Sequence, residues 1–237
     1  MNRFFKIIAV AFALLFVFAG CNDNSNVVTD LDVTIPPITD EPATEYNPEL
    51  YTFNVSTDET VSSENETSAP VLHPKVKFTM ENGKSFIIEL YPEYAPETCE
   101  NFVNLVSEGF YDGLTFHRVV EDFMAQGGDP EGTGMGGSDK EIHGEFYANG
   151  FTQNVISHQR GVVSMARSNA YDSASSQFFI CYDDCSRSLD GRYAAFGLVI
   201  EGMETVDDFL NVERVYNGDS KPSKPVKPII IAKAEVI

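Results

Sequence analysis

Residues 116–129 read Phe-His-Arg-Val-Val-Glu-Asp-Phe-Met-Ala-Gln-Gly-Gly-Asp, and this stretch decides how the rest of the chain is interpreted. It places one cation, Arg118, close in sequence to the apolar Phe123 and Met124 and to the amide of Gln126. Taken singly, each of these has an ordinary structural explanation, because apolar side chains form cores and a lone arginine is usually a solvated surface charge. The meaning of the stretch therefore depends on the segments around it.

Residues 75–237 show the pattern of one folded domain, and a hairpin opens it. Residues 76–80 alternate apolar and polar side chains, which is typical of a strand. Asn82-Gly83 then supplies a hairpin turn, and residues 85–91 return as a second strand.

A helix is predicted after this hairpin. Pro96 suits its first turn and Gly109 suits its C-terminal cap. Short strands and glycine-rich turns follow to Gly197, with a second short helix expected around 205–210 and a closing strand over 229–236. Mostly strands with two helices predict a mainly β fold, a closed antiparallel β-barrel. The apolar residues that predict one buried face of the first helix are Cys99, Phe102, Val103 and Val106.

The stretch 116–129 closely resembles the central signature of the cyclophilins, and further blocks of that family follow in order. Together with the opening strands, the resemblance covers essentially all of residues 75–237. The additional matching segments are Ala95-Pro96-Glu97-Thr98 with Asn101-Phe102, Ser164-Met165-Ala166-Arg167, Ser175-Ser176-Gln177-Phe178-Phe179-Ile180, Leu189-Asp190-Gly191 and Ala195-Phe196-Gly197.

The resemblance implies an eight-stranded barrel and a peptidyl-prolyl cis/trans isomerase that needs no cofactor and no metal. An X–Pro bond isomerises slowly because amide resonance resists twisting, with a barrier of about 18–20 kcal/mol. A catalyst needs an apolar slot for the proline ring, polar groups that fix the flanking peptide, and a cation near the prolyl nitrogen. The resemblance implies that Arg118 is this catalytic cation.

The resemblance also assigns substrate-binding roles. It implies that Gln126 hydrogen-bonds the substrate backbone and that Gln177 braces Arg118 or contacts substrate. It places His117 at the margin of the site. The residues implied to form the proline pocket are Phe123, Met124, Phe179 and Leu189, and those implied to hold the substrate chain are Ala166 and Arg167.

The alternative function is a non-catalytic module or chaperone that captures proline-containing segments at the cell surface. The intact set of Arg118, Phe123 and Gln126 favours the enzyme. On either hypothesis the partners are proline-containing polypeptides, and we expect the chain to act as a monomer.

Two positions depart from the pattern of many eukaryotic cyclophilins. Ser188 stands where those proteins carry Trp, and Tyr193 stands where they often carry His. The chain has no Trp at all. Because loss of the indole removes a large contact surface and an N–H donor, we expect weakened cyclosporin binding with isomerase activity retained.

Other motifs in the sequence give weaker evidence of a function. Residues 132–137 match G-x-G-x-x-G, but no βαβ unit surrounds them, so a glycine-rich loop beside the peptide groove is favoured over a dinucleotide site. The four histidines show no metal-ligand spacing, and no nucleophile elbow accompanies the Ser, His and Asp residues.

The N-terminus predicts export. Arg3 and Lys6 precede an uncharged, mostly apolar run over 7–20, which is short for a membrane span but typical of a secretory signal. The ending Phe18-Ala19-Gly20-Cys21 resembles the lipobox of bacterial lipoproteins, although Phe18 replaces the usual aliphatic residue. We therefore predict a signal peptide over 1–20 and lipidation of Cys21, which would anchor the chain to the extracytoplasmic face of the cell membrane. An uncut anchor or an ordinary signal is the alternative.

Residues 21–74 predict a disordered acidic tether. Residues 22–74 contain many Asp, Glu, Ser, Thr and Asn and no Lys or Arg, and no hydrophobic period is sustained. The whole chain carries a formal net charge of −20, which argues against nucleic-acid binding because phosphates demand Lys and Arg.

Three cysteines follow Cys21. An odd number is no disulfide framework, and pairing of Cys181 with Cys185 stays open. Small, partly buried side chains are the favoured interpretation of Cys99, Cys181 and Cys185.

Overall fold

The computed structural model describes residues 73–237. The predicted signal peptide, Cys21 and the predicted tether up to residue 72 lie outside the described residues. Short 3₁₀ turns at Tyr147–Asn149 and Asp208–Asn211 accompany the regular elements. The strands and α-helices of the described residues are β1 (Lys75–Met80), β2 (Ser85–Leu90), α1 (Pro96–Ser107), β3 (Thr115–Val120), β4 (Met124–Asp129), β5 (Val162–Met165), β6 (Phe178–Cys181), α2 (Ser186–Leu189), β7 (Ala195–Glu201), α3 (Met203–Asp207), β8 (Arg214–Val215), β9 (Lys224–Pro225) and β10 (Ile231–Val236).

Strands β1 and β2 form the predicted hairpin. Gly83 turns the chain with φ of 81°, a conformation that favours glycine. The side-chain oxygen of Asn82 accepts a hydrogen bond from the Lys84 N–H at 3.0 Å. Alternate side chains of both strands are buried, and Phe78 lies opposite Phe86 with their rings stacked 5.1 Å apart. The local turn signal and the alternating pattern therefore set the register together.

Helix α1 begins and ends at the residues that the sequence indicates. Pro96 lies in its first turn. At the other end, Gly109 has φ of 72°, its N–H donates to the Val106 carbonyl, and the Phe110 N–H donates to the Leu105 carbonyl. These two bonds form a Schellman motif, which satisfies carbonyls that the helix would otherwise leave free.

A distant carboxylate caps the N-terminus of α1. The N-cap residue, Ala95, makes no side-chain capping bond. Instead, Glu145 accepts the N–H of Glu97 at 3.0 Å through one oxygen and the N–H of Thr98 at 2.8 Å through the other. Because Pro96 has no N–H, the free donors of the first turn are thereby satisfied.

Of the ten strands in the described residues, eight form one antiparallel sheet in the order β10-β1-β2-β7-β5-β6-β4-β3. The prediction of a mainly β fold with eight antiparallel strands is therefore confirmed. Closure is less complete than predicted. Between the two edges, β10 and β3, the structure forms one isolated bridge, Thr115 to Ile230, and a few neighbouring backbone hydrogen bonds instead of a full ladder.

The reason lies at the outer edge of β3. The Phe116 N–H still donates to the Ile229 carbonyl at 3.0 Å, but the Val119 N–H donates to the Ser223 carbonyl at 2.8 Å. Ser223 lies just before β9, which pairs with β8 as a separate two-stranded sheet. The β8–β9 hairpin therefore occupies the part of the β3 edge that β10 would need for a closed barrel.

The helices agree with the prediction in part. The two predicted helices are α1 and α3, the second continuing as a 3₁₀ turn to Asn211. The four-residue α2 was not predicted, because so short a helix shows no periodicity. Among residues 73–237, none of the helices is both long and apolar enough to cross a bilayer.

Aromatic side chains fill the centre of the sheet. Phe102 of α1 is fully buried, with ring centroids of Tyr111, Phe178 and Phe196 at 5.2, 5.4 and 4.9 Å. Burying one such side chain contributes about 1.5–3 kcal/mol. A second, smaller apolar cluster lies apart from this core and belongs to the candidate site.

Candidate functional site

Arg118 and Gln126 face each other on neighbouring strands. Strands β3 and β4 pair antiparallel with Arg118 opposite Gln126, and Arg118 Nη1 donates to Gln126 Oε1 at 3.1 Å. The register of β3 shifts between Phe116 and Arg118, which leaves His117 as an extra residue. Such bulges re-aim side chains beside functional sites. Two of the predicted site residues are therefore in direct contact.

A relay of amides extends from this pair. Gln126 Nε2 donates to Gln177 Oε1 at 2.8 Å, and Gln177 Nε2 donates to the carbonyls of Gly134 and Gly136 at 3.1 and 2.7 Å. Strands β4 and β6 pair side by side, and Gln177 directly precedes β6, which brings the two glutamines together. Gln177 therefore supports Arg118 through Gln126, not by direct contact.

The glycine-rich loop 132–137 folds around a carboxylate of this chain. Asp129 accepts the backbone N–H groups of Glu131, Thr133 and Gly134 at 2.8, 2.9 and 2.6 Å. Burial alone would raise the pKa of Asp129, but these hydrogen bonds outweigh it and lower the pKa below its ordinary value. Gly134 has φ of 89°. In a dinucleotide site, the N–H groups of such a loop would donate to phosphate. Here they donate to Asp129 instead.

The predicted proline pocket is one apolar cluster, called here the pocket cluster. It contains all four predicted pocket residues and Ala166, and every member is buried. The guanidinium carbon of Arg118 lies 5.9 Å from the ring centre of Phe123. The cation therefore lies at the edge of apolar surface. The members are Val120, Phe123, Met124, Ala166, Phe179, Cys181, Cys185, Leu189 and Tyr193.

Arg167 is fixed beside the pocket cluster by aromatic rings. Its guanidinium carbon lies 4.6 Å from the ring centre of Tyr193 and 5.0 Å from those of Phe146 and Tyr171. Its Nε and Nη2 donate to the Arg192 carbonyl at 3.1 and 2.9 Å. Because Tyr193 belongs to both groups, Arg167 supports one wall of the pocket cluster.

Sequence reasoning missed Asp219. This residue follows β8 and accepts hydrogen bonds from Arg118 Nε, at 3.0 and 3.2 Å to its two oxygens, and from Arg118 Nη2. Burial alone would raise the pKa of Asp219, but the hydrogen bonds and charge of Arg118 hold it below its ordinary value. In the sequence, Gly218-Asp219-Ser220 has the composition of a surface turn, so no local signal points to the site.

His117 lies beside the site with its ring under the glycine-rich loop. Both ring nitrogens are buried, and Nε2 would lie 3.7 Å from a Cβ at Gly134. Burial lowers the pKa of His117 to about 4, and the charge of Arg118 acts in the same direction, while Asp129 opposes it. His117 is therefore a neutral ring near pH 7, and its hydrogen-bonding groups are not exposed to a peptide.

A serine, a histidine and a carboxylate also align. His158 Nδ1 lies 2.7 Å from Asp190 Oδ1, and His158 Nε2 lies 2.9 Å from Ser164 Oγ. All three residues are buried. Because no substrate reaches Ser164, this chain of hydrogen bonds stabilises β5 and the segment after α2, and it does not form a hydrolase site.

The three cysteines of the described part, Cys99, Cys181 and Cys185, are free and buried. The pairing of Cys181 with Cys185 is not formed. Burial raises the pKa of Cys181 well above its ordinary value, which keeps its thiol protonated and unreactive. Within residues 73–237, no three His, Cys, Asp or Glu side chains gather as metal ligands do.

The two departures from the eukaryotic pattern are both at the pocket cluster. Ser188 Oγ donates to the Cys185 carbonyl at 3.1 Å, and the Tyr193 ring packs edge-on against Phe179 at 5.9 Å. Weakened cyclosporin binding stays a prediction.

A cavity of about 160 Å³ opens next to the amide relay. Ala166 and Gln177 line it together with Gly136, Ser173 and Glu141. It therefore adjoins two of the predicted substrate-binding residues.

Comparison with known proteins identifies the family of the chain. Residues 75–236 match the family described as cyclophilin type peptidyl-prolyl cis-trans isomerase/CLD. Peptidyl-prolyl cis-trans isomerase ppi1 of Schizosaccharomyces pombe is 41% identical over 155 residues, covering 62% of this chain and 90% of that relative. Peptidyl-prolyl cis-trans isomerase B of Bacillus subtilis is 44% identical over 134 residues, covering 56% and 89%.

Solved structures give the same result. A crystal structure of a cyclophilin type peptidyl-prolyl cis-trans isomerase from Cryptosporidium parvum has a TM-score of 0.61 at 30% identity and covers 70% of this chain and 98% of that chain. The same protein crystallised in the presence of the dipeptide Ala-Pro has a TM-score of 0.59 at 31% identity, covering 69% and 98%. The chain therefore belongs to the cyclophilin-type peptidyl-prolyl cis-trans isomerase family.

Proposed function

We propose that the folded unit accelerates cis/trans isomerisation of X–Pro bonds in polypeptides, with Arg118 as the catalytic residue. The observation that carries this assignment is the position of the Arg118 guanidinium, 5.9 Å from the Phe123 ring at the edge of the buried pocket cluster. An arginine is always charged and presents its donors in a fixed planar fork, so it can direct an N–H group at one atom of a bound peptide.

The chemistry needs no bond to break. Twisting the X–Pro amide removes resonance and localises a lone pair on the prolyl nitrogen. Arg118 uses donors of Nε, Nη1 and Nη2 for Asp219 and Gln126, which leaves one N–H on each Nη for substrate. A donor at the prolyl nitrogen stabilises the twisted amide more than the planar one, and this difference lowers the barrier.

The other residues hold the peptide. The proline ring packs on the predicted pocket residues of the pocket cluster, because its apolar surface leaves water there. Gln126 Nε2 gives one N–H to Gln177 and keeps the other for a substrate carbonyl. The neighbouring cavity of about 160 Å³ receives a side chain of the bound peptide, since a cavity of roughly that size holds benzene.

The proposed partners are proline-containing polypeptides, bound by a monomer. The crystal structure of a family member in the presence of Ala-Pro supports this substrate class. The formal net charge of −20 disfavours nucleic acid as a partner.

The proposed setting is the extracytoplasmic face of the cell membrane, with the chain held by lipid on Cys21. The support is the signal-like segment 1–20 and its lipobox-like end. Exported chains that fold there contain X–Pro bonds whose isomerisation takes about 10–100 s, so an isomerase in that compartment assists their folding.

The test is an isomerisation assay on the purified full-length chain and on Arg118→Ala. We expect fast turnover of an X–Pro peptide and a loss of at least about tenfold in kcat/KM in the variant, which is about 1.4 kcal/mol of transition-state stabilisation. Arg160→Ala is the matched control, because Arg160 pairs with Asp207 at the surface. It should retain wild-type turnover.

The same assay separates the enzyme from a binding module. Peptide binding without turnover by a folded wild-type chain would replace catalysis with proline-peptide capture. Equal turnover by wild type and Arg118→Ala would leave an isomerase but remove Arg118 from its mechanism.

A further inference from the structure

Asp219 approaches Arg118 from a distant part of the chain. The two residues lie 101 positions apart, and the loop between β8 and β9 carries Asp219 to the site. That loop is attached to β3 on its far side, because the Val119 N–H donates to the Ser223 carbonyl at 2.8 Å. Lys221 adds a contact to the Glu121 carbonyl at 3.3 Å. Asp219 is therefore held against the strand that carries Arg118.

Asp219 binds the edge of the Arg118 guanidinium that carries Nε and Nη2. The Asp219 carboxylate takes the Nε and Nη2 donors, and Gln126 takes one Nη1 donor. Three of the five N–H groups thus have acceptors from two directions, which defines the plane of the guanidinium. The two remaining N–H groups belong to Nη1 and Nη2, and these are the donors that the proposed mechanism gives to substrate.

Burial makes this contact more than a surface ion pair. The side chains of Arg118 and Asp219 are 11% and 15% exposed, whereas those of the surface pair Arg160 and Asp207 are 49% and 41% exposed. Exposed pairs contribute little because water screens them and long side chains lose entropy. A largely buried guanidinium needs its partner, since removing one member leaves an uncompensated charge.

Two effects of Asp219 on catalysis oppose each other. Its negative charge offsets part of the attraction of Arg118 for the prolyl nitrogen. Its hydrogen bonds with the Nε and Nη2 donors also fix a side chain that otherwise has about 2 kcal/mol of rotamer entropy. Asp219 occupies the Nε edge of the guanidinium and leaves the outer Nη donors for substrate. We therefore expect the gain from orienting Arg118 to exceed the loss from the negative charge of Asp219.

We propose that Asp219 is a positioning residue that holds Arg118 in the orientation required for isomerisation. The β8–β9 loop then contributes a residue to the active site, although it lies outside the eight-stranded sheet. The inference rests on the proposed role of Arg118, through which Asp219 acts.

A double-mutant cycle on the full-length chain tests this. Asp219→Asn preserves the shape of the side chain and removes its charge and one acceptor. We expect it to lower kcat about five- to tenfold with KM within about twofold, because the loss falls on the transition state. In the Arg118→Ala background, the same substitution should have no further effect. Asp207→Asn, which alters the surface pair with Arg160, should leave kcat unchanged.

A spectroscopic measurement accompanies the kinetics. In ¹⁵N-labelled protein, the Arg118 Nε–H should give a protected NMR signal that is lost in Asp219→Asn, while the Arg160 signal stays the same in both. This readout and the circular dichroism spectrum show whether the variant is folded with only the local pairing changed.

Each other outcome decides against the proposal. Wild-type or raised kcat in Asp219→Asn, while Arg118→Ala loses activity, would overturn positioning and leave the proposed function intact. Equal losses from Asp219→Asn with and without Arg118 would mean that Asp219 acts independently. If Arg118→Ala retains full activity, both the role of Arg118 and this inference fall.

Discussion

At the residue scale, the polar groups of the site are buried side chains that satisfy one another. Gln126 and Gln177 are 1% and 2% exposed, and each amide finds partners in the relay from Arg118 to Gly136. Removing one member leaves a buried donor or acceptor unpaired, at a cost of about 1–3 kcal/mol. The relay therefore fixes one arrangement of the site before substrate arrives.

His117 should make stability depend on pH. Its pKa is about 4 in the folded chain and 6.5 when unperturbed, so between these values the unfolded chain binds a proton that the folded chain does not. The stability that neutral His117 contributes is present above pH 6.5 and is lost as the pH falls towards 4. We expect the loss to be on the order of 3 kcal/mol.

Replacing the ring isolates this effect. His117→Leu should show a shallower fall in the free energy of unfolding between pH 6.5 and 4 than wild type, as measured by chemical denaturation at several pH values. The carboxylates that titrate in both proteins cancel in the comparison. An NMR titration that finds the His117 ring protonating near pH 6.5 would contradict the prediction.

The sequence predicted which residues belong to the site better than it predicted which residues contact each other. The sequence motifs pointed to Arg118, Gln126 and Gln177, and the structure brings them into one relay. Asp219 and Glu145 gave no such signal, because each acts on a partner far away in the sequence. A turn-like Asp or an isolated Glu has no property in one sequence that reveals its distant partner.

At the element scale, the predictions that agree with the structure are those that rest on residues close together in the sequence. Hairpin β1–β2 and helix α1 matched their predictions, because Gly83, Pro96 and Gly109 act on their immediate neighbours. Helix α2 and the β8–β9 hairpin were missed, because elements of four and two residues carry no periodicity. Their positions depend on packing against the sheet and on the contacts of the β8–β9 loop with β3.

Glu145 should be a major stabiliser of α1. Glu145→Ala removes the acceptors of the half-buried Glu97 N–H and the buried Thr98 N–H, so we expect a loss of about 2–3 kcal/mol in the free energy of unfolding. Chemical denaturation measures it. Glu100→Ala is the control, since Glu100 lies exposed on the same helix and should change stability by less than about 0.5 kcal/mol. Equal stability of the two variants would rule out the capping role.

At the scale of the whole molecule, the eight antiparallel strands agree with the prediction, whereas the full closure of the barrel does not. Alternating patterns predict which strands have a buried face, but they do not show which edges meet. Here the Ser223 carbonyl binds part of the β3 edge, so the chain at the start of β10 meets β3 only through one bridge and a few neighbouring backbone hydrogen bonds. The same loop that limits closure carries Asp219 to Arg118.

The proposed membrane anchor is also a matter of the whole chain. In bacteria given radioactive palmitate, we expect label on the wild-type chain and its recovery with membranes, because each buried methylene contributes about 0.8 kcal/mol to anchoring. Cys21→Ser should lose the label, and Cys99→Ser should keep it. A labelled Cys21→Ser chain would exclude the proposed lipidation, and an unlabelled wild type bound to membranes would indicate an uncut signal.

The pairing of the first described strand with the last has a consequence for synthesis. Strand β1 forms its ladder with β10, and the Ile237 N–H donates to the Lys75 carbonyl at 2.9 Å. A chain that emerges from a ribosome or a translocation pore therefore cannot complete its sheet until its last strand is free. Asp219 also emerges late, because it lies close to the last strand in the sequence. Until both of these strands are available, the sheet is incomplete and the chain cannot adopt the fold on which the candidate site depends.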